Sequence, residues 1–378
     1  MIAQFVHLSS KEVFNKYSEI INSALFLYEP GSYILELREI SGNDLYLLES
    51  SIQEDKKIFF YKNDTVNKCF VYGNISEIKN IFDNFPEGEL KNKINCLLQN
   101  YLNYNTKYYQ LGNREYNFGE AFVMGILNVT PDSFSDGGLY INSDDAVEHG
   151  LEMINDGADF IDIGGESTRP GSDIVTWEEE LERVIPVIKK ILSAEPGTII
   201  SIDTTKSKVA EEAIRNGARI VNDISGATFD EEMLTVVKKC NAAVVLMHIK
   251  GTPKSMQQNP CYENVVEEIY DFLFERIKAA QELGIENIFI DPGIGFGKRI
   301  QDNFEILRRL DDFKSLGFPI VVGASRKSFL GKTLNLDITE RDAATAITEA
   351  IAVKNGARII RTHNVKYGKQ VCELLNNF

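Results

Sequence analysis

Polar, charged and amide side chains follow a series of short apolar runs in this chain, each at the point where a run ends. One such loop, NVTPDSFSDGG, comes directly after the apolar run at residues 121–127. A buried strand that ends in a polar loop fixes the root of the loop and leaves its tip free for chemistry. The side chains placed in this way are Asn128, Asp132, Asp136, Thr168, Arg169, Asp203, Asn222, Asp291, Lys327, Ser328, Arg361 and His363.

These residue types indicate two kinds of ligand. The carboxylates and amide of Asp203, Asn222 and Asp291 suit a planar heterocycle with several N–H donors, because an unpaired buried polar group costs about 1 to 3 kcal/mol. Arg361 and His363 suit a polyanion, since a guanidinium group binds phosphate oxygens in pairs. The loop GASRKS precedes a helical stretch, whose N-terminus adds a site for negative charge. The set therefore favours a heterocycle and a polyanion as ligands.

Several positions also have a purely structural explanation. Asp203 and Asp291 could each be a helix N-cap, because a carboxylate after a strand often has that role. The run GIGFG is only a weak match to a dinucleotide fingerprint, and a glycine turn explains it better. His248 is as compatible with a packed histidine as with a ligand. Lys298 and Arg299 are interpreted as solvated.

The apolar runs that end in these loops recur eight times. Strands are predicted at residues 121–127, 160–163, 198–202, 219–221, 242–246, 287–290, 318–322 and 358–360. Amphipathic stretches lie between them, such as 143–155, 178–192, 265–283 and 340–354. Three helix-to-strand turns contain a Gly-Ala pair, whose glycine suits a left-handed helix end. Eight strand and helix units over about 260 residues predict an α/β fold, a (β/α)8 TIM barrel with its site at the strands' carboxyl ends. A doubly wound open sheet is the alternative.

Residues 1–115 precede the predicted barrel, which takes up residues 116–378. A barrel needs about 250 residues, so the chain has room for one further small domain. Helices predicted at 10–23, 75–84 and 88–102, with strands at 32–37, 57–61 and 68–72, are typical of a small α+β domain. Residues 101–109 are either a linker or the end of a helix. No catalytic set of residues occurs in this part, so an accessory role in packing or assembly is predicted.

The composition restricts the partners and the location. A net charge of −16 and a pI of about 4.9 argue against binding to nucleic acid or to an anionic membrane. No apolar run approaches the roughly 18 residues of a membrane span, and the N-terminus lacks the pattern of a signal peptide. The five cysteines are scattered and never spaced as CxxC, which favours reduced thiols over zinc ligands or disulfides. These features predict a cytoplasmic protein.

The chain resembles the dihydropteroate synthases of folate biosynthesis in a series of motifs that are in order and in register. They are NVTPDSFSDGG, GGESTRPG, SIDTTK, VNDISG, LMHIKGTPKSMQ, DPGIGFGK, GASRKS and RTHN, of which the first two are highly specific. The resemblance covers residues 112–378. It implies a TIM barrel that joins 6-hydroxymethyl-7,8-dihydropterin pyrophosphate to 4-aminobenzoate, giving 7,8-dihydropteroate and pyrophosphate. It also implies a homodimer that sulfonamides inhibit. Residues 339–344 depart from the family's pattern and are expected to lie behind the site.

The resemblance further implies a role for each residue at the barrel mouth. The pterin pocket is matched by Asp203, Asn222, Met247, Asp291 and Lys327. The pyrophosphate site is matched by Asn128, Arg361 and His363, with Mg²⁺ between the diphosphate and Asn128. The aminobenzoate pocket is matched by Phe134, Pro170, Lys327 and Ser328. Asp136 and Arg169 match charged residues of the two mobile loops, and Thr168 is predicted to bind substrate. The predicted catalytic residues among these are Asp136, Arg169, Lys327, Arg361 and His363.

The implied reaction develops charges that these residues would stabilise. If the bond to pyrophosphate breaks before the amine attacks, the leaving group gains negative charge near Mg²⁺, Arg361 and His363. The pterin methylene then becomes cationic, near Asp136, and no covalent protein nucleophile is needed. Two alternatives stay open. One is a pterin-binding methyltransferase that uses methyltetrahydrofolate and has no use for a diphosphate site, and the other is a non-catalytic pterin-binding homologue.

Overall fold

The structure is a computed structural model that describes residues 1–21, 26–52, 59–63, 68–130, 143–167 and 175–378. The chain divides into two compact units. The N-terminal unit comprises Met1–Asn105 together with Arg308–Phe318, and the barrel unit comprises Thr106–Leu307 together with Pro319–Phe378. A short segment from late in the sequence therefore belongs to the N-terminal unit.

The N-terminal unit contains a four-stranded antiparallel sheet with helices. Its strands are β1 (Ile2–His7), β2 (Tyr33–Arg38), β3 (Phe59–Asn63) and β4 (Lys68–Gly73), in the order β1-β2-β4-β3. Its helices are α1 (Lys11–Ile21), α2 (Gly42–Ile52), α3 (Ile75–Asn84) and α4 (Glu89–Leu102). The small α+β fold is confirmed, although the sequence analysis did not predict β1 or α2. Helix α4 ends within residues 101–109 and a strand begins there, so neither interpretation of that stretch is complete.

Side chains alternate between the two faces of this sheet, and both faces are covered. Phe5 and Leu35 pack in one cluster with residues of α2, α3 and α4. Val6 and Ile34 point to the opposite face, where they pack in a second cluster with Tyr17 of α1. A core on each face gives this unit its own hydrophobic interior.

A buried ionic network holds the segment Arg308–Phe318 within the N-terminal unit. Arg309 is only 1% exposed, and its Nε donates to Oδ2 of Asp312 at 2.8 Å. Its Nη2 donates to the Tyr17 hydroxyl at 3.2 Å, and that hydroxyl donates to Oε2 of Glu36 at 3.1 Å. Buried charges are tolerated when they are paired and hydrogen-bonded to one another. The segment is therefore part of the core of this unit.

The barrel unit is a closed barrel of eight parallel strands, which confirms the TIM barrel and excludes the open sheet. A hairpin of β5 (Tyr108–Leu111) and β6 (Arg114–Asn117) precedes the barrel strands, which are β7 (Phe122–Asn128), β8 (Phe160–Gly164), β9 (Ile199–Asp203), β10 (Ile220–Asp223), β11 (Ala243–Met247), β12 (Ile288–Asp291), β13 (Ile320–Val322) and β14 (Ala357–Thr362). All eight coincide with predicted strands to within a few residues, because each is a mainly apolar run of the kind that a buried parallel strand requires.

Helices alternate with the barrel strands. They are α5 (Ser143–Asn155), α6 (Trp177–Ala194), α7 (Ser207–Arg215), α8 (Met233–Lys239), α9 (Val265–Glu282), α10 (Ile300–Arg308), α11 (Ser328–Leu334), α12 (Asp342–Lys354) and α13 (Val365–Leu375). Gly157, Gly217 and Gly356 follow three of them with φ angles of 98°, 111° and 114°, as predicted for the repeated turns. None of the helices in the described part of the chain is both long and apolar enough to cross a membrane.

The hairpin of β5 and β6 fills the amino-terminal end of the barrel. Tyr109 and Tyr116 belong to one buried cluster with residues near the beginning of the barrel strands, among them Phe160. The Tyr109 hydroxyl donates to the backbone carbonyl of Ile288 at 2.8 Å. The hairpin thus packs as part of the barrel, and the boundary between the two units falls at residues 105 and 106, earlier than the predicted boundary at 115 and 116.

Candidate active site

The candidate site lies at the carboxyl ends of the barrel strands. The described residues predicted for it are Asn128 at the end of β7, Asp203 at the end of β9, Asn222 in β10, Met247 at the end of β11, Asp291 at the end of β12, Lys327 and Ser328 at the start of α11, Arg361 in β14 and His363 just after it. The other predicted positions, Asp132, Phe134, Asp136, Thr168, Arg169 and Pro170, lie outside the residues that the structure describes.

A cavity of about 570 Å³ opens among these strand ends. The predicted residues that line it are Asn128, Asp203, Lys327, Ser328, Arg361 and His363. Asn222, Met247 and Asp291 are buried and do not belong to the described lining. Met247 packs with Met256, which does line the cavity. The structure therefore brings one part of the predicted set to a common cavity and leaves the rest buried around it.

Arg361 is the centre of an ionic network at the wall of this cavity. Its Nε donates to Oδ2 of Asp162 at 2.6 Å, and its Nη2 donates to Oδ2 of Asp203 at 2.7 Å. The side-chain amide of Asn222 donates to the same oxygen of Asp162 at 2.9 Å. Two carboxylates on different strands therefore fix the orientation of one guanidinium group. Arg361 joins the predicted pyrophosphate site to the predicted pterin pocket.

Asp162 is a functional candidate that the sequence analysis missed. It is fully buried in β8, and its Oδ1 has no hydrogen-bond partner among the described residues. The signal was available, because a single carboxylate interrupts the apolar strand Phe160–Gly164. A charge in a buried strand is rare unless it is paired or functional.

The carboxylates at the strand ends are not helix caps. Helix α7 begins after Lys206, which makes no side-chain cap bond, whereas Asp203 is bound to Arg361. Asp291 accepts the backbone N–H of Gly293 at 2.6 Å, well before α10 begins. Burial raises the pKa of Asp291 to about 6, against the N–H of Gly293 and the charge of Lys327. Burial also raises the pKa of Asp203, although the charge of Arg361 opposes it. Shifts of this kind are typical of functional sites.

Lys327 is a partly buried cation beside an aromatic ring. Its Nζ lies 3.9 Å from the centre of the Phe296 ring, a distance at which the ring's face attracts a cation. Burial, together with the charge of Arg361, lowers the pKa of Lys327 to about 8. Phe296 lines the cavity as well, and the sequence analysis did not single it out. A planar ring bound here would meet both a cation and an aromatic surface.

The GIGFG run is a turn rather than a dinucleotide site, as predicted. Gly293, Gly295 and Gly297 have φ angles of 72°, 83° and 65°, which glycine adopts at little cost. A Cβ atom on Gly293 would lie 1.9 Å from the backbone oxygen of His248. The loop after β12 therefore packs directly on the end of β11, and it could not do so with a larger residue.

The prediction that Lys298 is solvated is wrong. Lys298 is 4% exposed, and its Nζ donates to the carbonyls of Gly293 and Phe296 at 3.0 and 2.8 Å. It also lies 3.0 Å from Nδ1 of His248, a packed histidine whose pKa burial lowers to about 2. The neutral imidazole thus accepts from the lysine, which holds the glycine loop in place. Arg299 is partly exposed and pairs with Asp302.

Arg341 also lines the cavity, which corrects the expectation that residues 339–344 lie behind the site. Its Nη1 donates to the carbonyl of Arg326 at 3.1 Å. Arg326 has a φ of 55°, and its guanidinium binds both oxygens of Asp342 at 2.7 and 2.9 Å. Residues of this segment therefore hold the strained loop after β13, and one of them adds a cation to the cavity wall.

The family described as pterin binding enzyme matches residues 124–363 of this chain. A dihydropteroate synthase from Clostridium beijerinckii is 47% identical over 260 residues, which are 68% of this chain and 94% of that protein. A dihydropteroate synthase from Synechocystis sp. is 46% identical over 257 residues, which are 67% of this chain and 89% of that protein.

Solved structures of the same kind are similar in fold. The dihydropteroate synthase of Yersinia pestis in complex with a sulfonamide drug has a TM-score of 0.68 and 38% identity, over 72% of this chain and 98% of that one. The dihydropteroate synthase of Xanthomonas albilineans in complex with 7,8-dihydropteroate has a TM-score of 0.65 and 36% identity, over the same shares. Residues 1–123 lie outside the family match.

Proposed function

Because this chain belongs to the dihydropteroate synthases, a family of pterin-binding enzymes, we propose that adjoining groups of residues at its barrel mouth bind the pterin, the diphosphate and the aminobenzoate. The enzyme is a transferase of folate biosynthesis. It condenses 6-hydroxymethyl-7,8-dihydropterin pyrophosphate with 4-aminobenzoate, giving 7,8-dihydropteroate and pyrophosphate. The observation that supports these roles best is Arg361, which lines the cavity while it is bound to Asp162 and Asp203.

The pterin group consists of Asp203, Asn222, Met247, Asp291 and Lys327. The amino and ring N–H groups of a pterin are donors, and ionised carboxylates are acceptors only, so Asp291 and Asp203 suit its guanidine-like edge. Lys327 donates to the ring carbonyl. Since the pKa of Asp291 is about 6, this carboxyl is mostly ionised at neutral pH. Met247 supplies an apolar surface next to the ring.

The diphosphate group consists of Arg361, His363 and Asn128. Arg361 and His363 are separated by one residue at the end of β14, and both line the cavity. Their donors match phosphate oxygens, and Arg361 adds positive charge where the leaving group becomes more negative. Arg341 is a further cation on the same wall.

Mg²⁺ fits this group as an ion that arrives with the diphosphate. No three His, Cys, Asp or Glu side chains in the described ranges form a metal cage, but Asn128 places an amide oxygen donor in the lining. A protein commonly holds Mg²⁺ by one or two oxygen ligands together with substrate phosphates and water. Asn128 would be the protein ligand. When bound, the ion neutralises charge on the diphosphate.

The aminobenzoate group consists of Lys327, Ser328 and the sequence-predicted Phe134 and Pro170. Lys327 lies against Phe296, so the same wall offers a cation to the carboxylate and an aromatic surface to the ring. Asp136, Thr168 and Arg169, on the loops that follow β7 and β8, are proposed to complete the enclosure. Excluding water matters here, because water would compete with the amine for the pterin methylene.

The reaction then needs positioning and charge stabilisation rather than a protein nucleophile. The bond between the methylene carbon and the bridging oxygen of pyrophosphate breaks, and its electron pair leaves with the pyrophosphate. Arg361 and His363 bind that growing charge. The neutral amine of 4-aminobenzoate forms the new C–N bond and loses a proton, while Asp136 stabilises the cationic methylene. A methyltransferase that uses methyltetrahydrofolate would leave the cations of this cavity without a role.

The test of this assignment is a coupled assay with pterin pyrophosphate, 4-aminobenzoate and Mg²⁺. We expect 7,8-dihydropteroate and pyrophosphate to form in equal amounts, and a sulfonamide to compete with 4-aminobenzoate. Methyltetrahydrofolate with a corrinoid acceptor is the comparison reaction and should give no methyl transfer. A folded enzyme that binds the pterin but forms no dihydropteroate would support the non-catalytic alternative instead.

We also propose a homodimer that uses the helices late in the barrel. Ile347 and Ile351 of α12 are exposed and lie one helical turn apart, and Tyr367 and Leu374 are exposed on the neighbouring α13. Exposed apolar residues grouped in this way mark interaction surfaces. In sedimentation experiments the unchanged chain should sediment as a dimer, whereas Ile351→Glu should sediment as a monomer. Leu283→Glu, at an exposed leucine after α9, is the control and should remain a dimer.

We further propose a cytoplasmic location and an accessory role for the N-terminal unit. A cytoplasmic location agrees with the substrates of the proposed reaction and is tested by fractionation of cells. An accessory role for the N-terminal unit agrees with the position of the described cavity lining, all of which belongs to the barrel unit. Its test is the effect of substitutions in that unit on kcat/KM.

A further inference from the structure

One serine hydroxyl is surrounded by three groups from the end of β14. Ser325, in the loop after β13, is buried and borders the cavity. Its Oγ accepts the backbone N–H of His363 at 3.1 Å, and it accepts the Thr362 hydroxyl at 3.4 Å. The same Oγ lies 2.9 Å from Nδ1 of the His363 ring. None of these contacts involves a ligand.

The number of protons on the hydroxyl groups determines which atom donates in the contact between Ser325 Oγ and His363 Nδ1. A serine hydroxyl donates one hydrogen bond and accepts two. The N–H of His363 and the hydroxyl of Thr362 occupy both acceptor positions of Ser325, so its own proton is left for Nδ1. Nδ1 is then an acceptor, and the imidazole carries its proton on Nε2. We propose that Ser325, supported by Thr362, is a positioning residue that fixes His363 as the Nε2–H tautomer.

The direction of the Thr362 hydroxyl has its own support. Thr362 is fully buried, and its hydroxyl favours the ionised form of Glu349 of α12, but neither side-chain oxygen of Glu349 accepts a hydrogen bond within the described residues. Burial nevertheless raises the pKa of Glu349 to about 8, so this acid is mostly protonated at neutral pH. A protonated carboxyl group does not need to accept a hydrogen bond from the Thr362 hydroxyl. That proton remains available to Ser325.

The tautomer matters because phosphate oxygens are acceptors. Nε2–H donates a hydrogen bond to the diphosphate, whereas an unprotonated Nε2 would turn a lone pair toward an anion. This consequence rests on the proposed function, since it assigns His363 to the leaving group. A donor that is already oriented needs no rearrangement as charge develops in the transition state.

Histidine NMR tests the tautomer directly. The chain has four histidines, so histidine labelled with ¹⁵N gives four sets of ring signals. His363→Gln identifies the set of His363 by its loss. In the full-length chain at about pH 7.5, we expect Nε2 protonated and Nδ1 unprotonated. Finding Nδ1 protonated would overturn the proposal.

Two substitutions test the cause. In Ser325→Ala the ring loses its donor, and we expect the ¹⁵N signals of His363 to move to values averaged over both tautomers. Thr362→Val frees one acceptor position on Ser325 and should cause a partial shift in the same direction. Thr348→Val is the matched control, because its buried hydroxyl only donates to the carbonyl of Ala344. Unchanged His363 signals in Thr362→Val and Ser325→Ala would also overturn the proposal.

Kinetics supplies the second measurement. Ser325→Ala should lower kcat/KM for pterin pyrophosphate about tenfold, the effect of one misdirected hydrogen bond, and leave the affinity for a pterin without phosphate unchanged. Ser325→Thr keeps the hydroxyl and should recover both the tautomer and most of the activity. Equal losses for the two pterins would contradict the positioning role. A wild-type chain with the expected tautomer but no turnover would instead reject the proposed function and leave the tautomer assignment intact.

Discussion

Two arginines in different regions of the molecule are each paired with carboxylates, and of these Arg309 is buried and Arg361 is partly buried. In the N-terminal unit, Arg309 binds Asp312 and reaches Glu36 through the hydroxyl of Tyr17. In the barrel unit, Arg361 binds Asp162 and Asp203. The two networks differ in their surroundings. Arg309 is enclosed by its own unit, whereas Arg361 borders a cavity of about 570 Å³.

The difference in surroundings shows when an ion pair inside a protein is available to bind a ligand. Removing charges from water is costly, and each network offsets that cost by internal pairing. In the N-terminal unit the pairing fixes the segment that contains Arg309. In the barrel the same kind of pairing orients a cation toward a space that a ligand can enter. The pKa of Asp291 is raised to about 6, and that of Lys327 is lowered to about 8. Similar pairing therefore serves structure in one region and, in the proposed function, ligand binding in the other.

The largest effect is expected from Arg361→Ala, which removes the cation between Asp162 and Asp203. Leaving a buried charge without its partner costs about 3 to 5 kcal/mol, so kcat/KM for pterin pyrophosphate should fall at least about a hundredfold in the coupled assay. Because Arg361 also orients Asp203, calorimetry should show a smaller loss of affinity for a pterin without phosphate. Arg299→Ala is the control, since Arg299 is a partly exposed partner of Asp302.

Either of two results would reject this assignment of Arg361. One is unchanged turnover in a folded Arg361→Ala enzyme. The other is an equally large loss in Arg299→Ala, which would show that any lost arginine near the mouth has this effect.

The next effect is expected from Asp291→Asn, which removes a negative acceptor for the pterin. One charge-assisted hydrogen bond contributes about 1.5 to 3 kcal/mol, or roughly a ten- to hundredfold loss of pterin affinity by calorimetry. Asp312→Asn sharpens the comparison, because burial also raises the pKa of Asp312 to about 6. It should lower the free energy of unfolding and leave the pterin affinity unchanged. Pterin binding that is insensitive to Asp291→Asn would remove this residue from the pocket.

A smaller effect is expected from pH alone. In the proposed function the carboxylate form of Asp291 binds the pterin, and burial raises the pKa of Asp291 to about 6. Pterin affinity should therefore fall as the pH falls through that value, by about tenfold between pH 7 and pH 5. Calorimetry at several pH values measures this, and Asp291→Asn should lose most of the dependence. A wild-type affinity that rises toward pH 5 would contradict the sign.

The smallest effect on activity is expected from Tyr17→Phe, in the N-terminal network. The change removes one hydroxyl between Arg309 and Glu36 and keeps the aromatic packing, so the free energy of unfolding should fall by about 1 to 3 kcal/mol. The enzyme should keep its kcat/KM at temperatures where it is folded. Tyr46→Phe, at a tyrosine that is 68% exposed, is the control for stability. A loss of turnover without unfolding would show that this unit contributes to catalysis.

The barrel and several residues of its cavity lining could be predicted from the sequence, because their signals are local. Each strand is a mainly apolar run, and each polar residue that follows one must lie at the same end of a parallel barrel. Asp203, Arg361 and His363 were predicted for this reason. Asp162 was missed because it stands inside a strand, where a search of the loops does not reach.

The errors have a physical cause in common, which is contact between residues far apart in sequence. Lys298 looks solvated in sequence, yet its Nζ reaches His248, fifty positions away. The Arg308–Phe318 segment follows a barrel helix, yet its charges pair with Tyr17. The hairpin at residues 108–117 looks like the end of the first domain, yet its aromatic residues fill the barrel. No periodicity reports such pairings, because they depend on three-dimensional position.

The aromatic hairpin of β5 and β6 affects how the substrates enter the site and how the product leaves it. Tyr109, Tyr116 and their neighbours fill the amino-terminal end of the barrel, and the cavity opens at the other end, among the carboxyl ends of the strands. Substrates that enter through one opening have to bind in a fixed order. The substrate that belongs deepest has to arrive first, the second covers it, and the joined product must leave by backing out past the same residues. Slow release of the product through this opening would make product release, rather than bond formation, the rate-limiting step of the cycle.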